Sequence, residues 1–351
     1  MTGGFMKSLL IALTALFLFS PATSFAGDPN FKIAPKFEAA WIFSKGIAAV
    51  KIGEKWGYID RAGALSIQPR FDAVQLLYDP NELFSEDLAA VQVQKKWGYI
   101  DKKGNMVIEP RFDEAESFHD GFALVALNEE GCSKYGFIDK SGKYLVKPIY
   151  DFGGNFSHGM ANVVAGNQQG YVDKQGKTQM LGRFSEVTKF FEGLAAVRQE
   201  GKWGYVDVTG KIIIKPQFEE FIPGWFSEGL CSVKANNKRG FIDRNGIIVI
   251  EPKFDLVGEF AEGFAVVGIA GSHGYIDRTG KMVIQLKYAD ASNFSEGLAK
   301  VCVTPLGPWG YINTKGDLII APQFEKATDF SEGFAAVRVG KKWGYISKPT
   351  N

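Results

Sequence analysis

The sequence predicts an all-β chain: a tandem array of about nine three-stranded antiparallel β-meanders, read as an open, curved array. Three observations carry this prediction. The hexapeptide KWGYID stands at Lys55–Asp60 and again at Lys96–Asp101, and near-copies begin at Lys134, Lys202, Ser272, Pro308 and Lys342. Its glycine falls at positions 57, 98, 136, 170, 204, 240, 274, 310 and 344, in steps of 41, 38, 34, 34, 36, 34, 36 and 34 residues. A fixed period of this size marks a repeat architecture. Finally, turn residues bracket every hexapeptide, which is the pattern of short strands joined by tight hairpins.

The array is preceded by a segment of another kind. Met6-Lys7 gives a basic start, Ser8–Ser20 (SLLIALTALFLFS) is apolar, and Ser24-Phe25-Ala26 puts small residues where a signal peptidase reads. This is the layout of a secretory signal, with an apolar run short for a spanning helix. Residues 1–26 are expected to be a signal peptide and 27–351 a single repeat array, exported to a periplasm or to the outside of a bacterial cell. The residue directly after the expected cleavage point is Gly27 and not Cys, so no lipid anchor is expected. No integral membrane segment is expected after cleavage either.

Within each copy the first strand reads Gly-x-Ala-x-Val, as in Gly193, Ala195 and Val197. Alternation across a strand puts the small residue and the valine inward and the variable residue between them outward. A tight turn leads to the hexapeptide, whose fourth residue is always Tyr or Phe. Asp-x-x-Gly follows, as in Asp60–Gly63; the Asp side chain caps the turn and Gly accepts the left-handed conformation. A third strand (MVIEP, IIIKP, LIIAP) is expected to end its ladder at Pro. The connector then carries two aromatics, such as Phe112 and Phe118. The second of them recurs as Phe43, Phe84, Phe118, Phe156, Phe190, Phe226, Phe260, Phe294 and Phe330. A unit of about 34 residues cannot bury its own apolar face, so neighbours must stack, with these rings between them.

With its KWGYID…G unit, the chain resembles the WG-repeat family. The Trp-Gly pair is intact at Trp56, Trp97, Trp203, Trp309 and Trp343, while Tyr135, Gln169, Arg239 and His273 replace Trp elsewhere. The resemblance covers the whole array and implies its repeat; it implies no activity. Gln, Arg and His would be costly in a dry core, so the Trp position is expected to be half-exposed. The invariant glycine beside it is expected to let a neighbouring ring or backbone approach. The chain starts at FKIAPKFE, in the phase of a third strand, and ends at KWGYISKPTN, in the phase of a second. The two ends would complete one unit of a closed, propeller-like ring. Propeller blades usually run longer than about 34 residues, which favours the open array.

Charge and composition narrow the function. The chain carries a net +1, and removing Lys7 with the signal peptide brings it to about zero, which is no footprint for nucleic acid. Cys132, Cys231 and Cys302 show no metal spacing; Cys231 replaces a small buried residue, and Cys132 is the candidate exposed thiol. Catalytic constellations occur once, whereas the Asp series (Asp60, Asp101, Asp139 and on) and the Glu series (Glu192, Glu228, Glu262, Glu296, Glu332) recur. The first reads as turn caps without the ligand alternation of a calcium loop, the second as exposed turn carboxylates. His119, His158 and His273 have no nucleophile beside them. No cofactor, metal or enzymatic activity is expected. The sequence reads as a non-enzymatic binding or scaffolding module, with a protein or cell-envelope polymer as partner. The candidate binding residues are Trp56, Trp97, Trp203, Trp309 and Trp343. These rings would either stack sugars or peptides, or cover the seams between units. The Lys before Trp (Lys55, Lys96, Lys202, Lys342) would solvate the hairpin or meet an anionic partner. Two alternatives remain: a carbohydrate- or peptidoglycan-binding module using the Trp ladder, and an envelope hydrolase built near Asp79, Glu82 and Cys132.

Overall fold

A computed structural model of the protein describes residues 30–75, 83–129, 131–219 and 224–349. The expected signal peptide, Asp79 and Glu82 lie outside the described residues. Among the described residues no helix is long and apolar enough to cross a membrane.

The hexapeptide is the third strand of a four-stranded antiparallel sheet in most copies. In the third copy the order is Glu114–Ala115, Phe122–Glu129, Cys132–Asp139 and Tyr144–Tyr150. Nine such sheets, or blades, carry the array, and eight have four strands among the described residues. The strand beyond the expected three is a two-residue piece of the connector, held by pairs such as Ala115↔Val125. The Asp-x-x-Gly turns form as expected. Asp60 Oδ1 accepts the amides of Ala62 and Ala64, both at 2.9 Å, and Gly63 sits at φ +82°.

Pro does not end the strand after the hexapeptide, the third of the expected unit and the fourth of the sheet. Leu65–Phe71 runs through Pro69, and the register jumps there from Tyr58↔Ile67 to Trp56↔Phe71. Four residues on one strand face two on the other, so the bulge absorbs the missing Pro amide. The bulge also explains the invariant glycine: a methyl at Gly57 would lie 2.6 Å from the Ile67 carbonyl oxygen and 2.8 Å from the Pro69 nitrogen. The approaching group is thus backbone of the same sheet. The seventh copy has Leu286 in place of Pro and keeps both the full strand, Met282–Tyr288, and the bulge; in the fourth copy, which also lacks the Pro, the strand is Thr178–Met180.

The core lies in the seams between blades. At every seam the hexapeptide Tyr or Phe of one blade meets the invariant connector Phe of the next. Tyr99–Phe118, Tyr171–Phe190, Phe241–Phe260, Tyr275–Phe294 and Tyr311–Phe330 all have ring centroids 4.8 Å apart. Burying each such ring contributes about 1.5–3 kcal/mol. Six of the tyrosine hydroxyls, all but that of Tyr58, donate to connector carbonyls of the next blade among the described residues, as Tyr99 does to Glu116 at 2.7 Å. Stacking also corrects the expectation that the residue between Ala and Val faces out. Ala49, Ala90, Leu124, Asn162 and Val266 are buried, because each sheet lies between two neighbours and alternate side chains enter opposite seams.

The array is a closed ring, the propeller-like alternative, not an open curve. Phe31–Phe37 pairs antiparallel with Lys342–Ser347, so the two ends of the array complete the ninth blade. The seam this creates repeats the others: Phe43 and Tyr345 lie 5.0 Å apart, Tyr345 donates to the Trp41 carbonyl, and Ser331 Oγ donates to the Phe43 carbonyl, both at 2.7 Å. Closure depends on whether the rotation per unit returns to its start, a tertiary quantity that repeat length alone does not contain.

The Glu series is not a set of free turn carboxylates. Each sits at the first central position of a two-residue turn with φ near +50°, followed by Gly near +80°. That is the left-handed pair of a type I′ hairpin. From there the carboxylate reaches the amide of the matching glycine one blade on: Glu192 to Gly229 at 3.0 Å, Glu262 to Gly297 at 2.8 Å, Glu296 to Gly333 at 3.0 Å and Glu332 to Gly46 at 2.8 Å. Glu86 and Asp120 clasp Gly121 and Gly159 the same way. Between blades 1 and 2 the chemistry reverses: Lys45 replaces the acid and lies 4.0 Å from Asp87, which replaces the glycine.

Two predictions follow from ring closure. Phe37→Ala opens a cavity in the closing seam and is expected to cost about 3–5 kcal/mol, read as a midpoint shift in urea with a single transition for the whole ring. A separate early transition confined to the terminal blades would contradict closure. For Glu332, burial raises the carboxyl's pKa, but hydrogen bonds from Arg61 and the amides of Gly46 and Lys45 bring it below its ordinary value. A depressed folded value gives stability that is present above the unfolded pKa, about 4.3, and lost as pH falls through the folded one. Glu332→Gln should therefore lower the melting temperature at pH 7 and leave it nearly unchanged below about pH 3.

A candidate binding site across the closing seam

The five candidate tryptophans occupy one register position, opposite the aromatic that ends the third strand: Trp56↔Phe71, Trp97↔Phe112, Trp203↔Phe218, Trp309↔Phe324 and Trp343↔Phe37. Trp56, Trp97, Trp309 and Trp343 are half-buried, as expected. Trp203 is not; only 2% of it is exposed, with the Arg198 guanidinium 5.8 Å from its ring. Arg198 is itself bound to Glu186 at 2.5 Å, and this pair covers the indole.

The replacements show what the position does. Gln169 donates to the Ser185 carbonyl at 2.6 Å and accepts the Val187 amide at 2.8 Å, bridging to the next blade's connector. Tyr135 donates to Glu114 at 3.0 Å. The position therefore serves the edges of the seams, with polar partners where a ring is missing. The preceding lysines bind carboxylates of the connector to the next blade, as Lys96 does Asp113 at 2.6 Å and Lys342 does Glu38 at 2.6 Å; the same carboxylates accept amides of that next blade, from Asn128 and Gly53. Those ion pairs hold Asp113 and Glu38 below the usual carboxylate range.

A continuous ladder of indoles does not form, because Tyr135, Gln169, Arg239 and His273 interrupt it. Two of the five, Trp309 and Trp343, line one pocket of about 520 Å³, and they share it with Trp41 of the first blade. The pocket thus spans blades 8, 9 and 1, across the closing seam. Its polar side is built from Lys300 and Asp329. The Lys300 ammonium lies 5.8 Å from the Trp309 ring centroid and 3.3 Å from Asp329, whose carboxylate also accepts Ser292 Oγ at 2.7 Å. Asn293 lines the pocket too, and its Oδ1 is buried without a hydrogen-bond partner among the described residues.

Sequence reasoning missed Trp41, Asn293 and Asp329. They sit one or two residues before the invariant Phe, where the copies differ most: Ile42, Lys189, Trp225, Glu259, Asn293 and Asp329 are equivalent. Comparing copies there would have found them. A second aromatic group shares this register. Trp225, 41% exposed, stacks on Phe191 at 5.1 Å, and burial pushes the neighbouring Glu259 carboxyl up against the opposing pull of a hydrogen bond from Trp225. Cys132 is exposed and Cys231 and Cys302 are buried, as expected. No cluster of three or more potential metal ligands forms among the described residues.

A family profile described as a WG containing repeat matches residues 28–56, 56–97, 97–130, 135–168, 170–203, 203–238, 240–271, 274–304 and 309–343. No curated protein matches the chain in sequence. In backbone shape it is similar to a crystal structure of a eukaryotic initiation factor, at 12% identity and a TM-score of 0.59, with 83% of this chain and 88% of that one covered. It is similar more loosely to Hsv2 of Kluyvelomyces marxianus (10% identity, 75% and 100% covered, TM-score 0.43). The same holds for virginiamycin B lyase from Staphylococcus aureus (15% identity, 72% and 94% covered, TM-score 0.35). At 12% identity the first likeness concerns the fold alone, and the other two carry no argument.

The buried and half-buried indoles should separate on mutation. Trp203→Ala is expected to cost about 3–5 kcal/mol and Trp97→Ala clearly less, measured by urea denaturation. Equal losses would mean that both rings are packed alike.

Proposed function

Because the chain belongs to the WG-repeat family, with its copies closed into a ring, we propose that it is an exported, non-enzymatic binding or scaffolding protein of the cell envelope or extracellular space. The observation that carries this reading is the pocket across the closing seam, where Trp41, Trp309 and Trp343 come together. Small-ligand sites are concave, mostly apolar and few per protein, with a small number of convergent polar groups. Three indoles beside one ammonium–carboxylate pair have that composition.

The repeated carboxylates support a binding role over a hydrolytic one. The Asp series caps turns and the Glu series clasps neighbouring blades, so both already serve the fold. A paired-carboxylate mechanism needs a carboxylate free to hold a proton or a water at the scissile bond. Export is supported by the Met6–Ala26 layout. The partner class is an envelope polymer or an extended protein, since a ring of repeats offers a broad surface around the pocket.

The test is co-sedimentation of the exported chain with insoluble cell-envelope material, wild type against Trp309→Ala/Trp343→Ala. Wild type should pellet and the double variant stay soluble, both retaining the same circular dichroism spectrum. If neither pellets, this reading fails.

A further inference from the structure

We propose that the pocket across the closing seam is a subsite for one N-acetylated hexosamine unit of a polysaccharide. This deepens the binding role proposed above and rests on it. The apolar lining suits a pyranose, whose C–H faces stack on indole while its hydroxyls stay at the edge. Three indoles exceed the two faces of one sugar ring. An acetamido methyl is the further apolar group that would occupy the third.

The polar groups agree with this occupant. Lys300 and Asp329, 3.3 Å apart, place a donor beside an acceptor, and a sugar hydroxyl is both. Asn293 closes the pocket on the side of blade 8, with its Oδ1 turned away against Gly258, so the acetamido group is recognised through its methyl rather than through this oxygen. The volume of about 520 Å³ lies within the range of small-molecule sites, on the order of 300–1,000 Å³. The site exists only in the closed ring, because Trp41 comes from the first blade and Trp343 from the last.

The experiment titrates the intact protein with three soluble probes, followed by tryptophan fluorescence and calorimetry: β-1,4-linked tetramers of N-acetylglucosamine, of glucosamine and of glucose. The acetylated tetramer should bind at least about fourfold tighter than the other two, one buried methyl group's worth. Trp309→Ala and Trp343→Ala should each abolish binding, while Tyr135→Leu, at the equivalent position far from the pocket, should leave it intact. Trp41→Ala should keep weak binding but erase the preference for the acetylated probe. Equal affinity for the three probes, binding that survives loss of Trp343, or no binding of any probe overturns the proposal. If wild type still pellets with envelope material while no probe binds, the saccharide assignment fails and the binding role stands.

Discussion

The contact on which this structure depends is the aromatic pair at each seam, the hexapeptide Tyr or Phe of one blade against the connector Phe of the next. All nine seams have it, including the one that joins the chain's two ends. Its consequences account for most of what repeats. The small residue of the neighbouring strand is Ala or Cys because it is fully buried beside these rings. The Tyr345 hydroxyl, driven by burial far from ionisation, is held by a connector carbonyl of the next blade, as are five of its counterparts. A blade therefore has little stability of its own, and the ring is held by identical contacts in series.

A closed ring of equal units has no privileged place unless the copies differ, and they differ where the seam contact does not constrain them. Just before the invariant Phe the residue type varies, from the buried Leu83 and Ser117 to the 41%-exposed Trp225. Trp41, Asn293 and Asp329 stand there around the closing seam, and Trp225 and Glu259 stand there in blades 6 and 7. Repetition supplies the frame, and variation at one register supplies the chemistry. The tryptophans that name the repeat divide accordingly. Trp203 is a seam residue, whereas Trp309 and Trp343 combine the seam role with a wall of the pocket.

The sequence by itself determined the strands, turns and seams, because their causes are local: period-two alternation, an Asp that caps its own turn, a Gly that admits a positive φ. It also marked the connector Phe as buried, since a ring kept through nine copies is held by packing. It misread Pro69 and its counterparts, because a bulge is a relation between two strands and leaves no trace in one. It misread the Glu series for a similar reason, as Glu332 and Gly46 are 286 residues apart and meet only one blade over. Tertiary structure alone decided that the array closes, which depends on the rotation accumulated over nine seams. With closure it decided the site, because Trp41 and Trp343 stand near opposite ends of the chain and become neighbours only when the last strand pairs with the first.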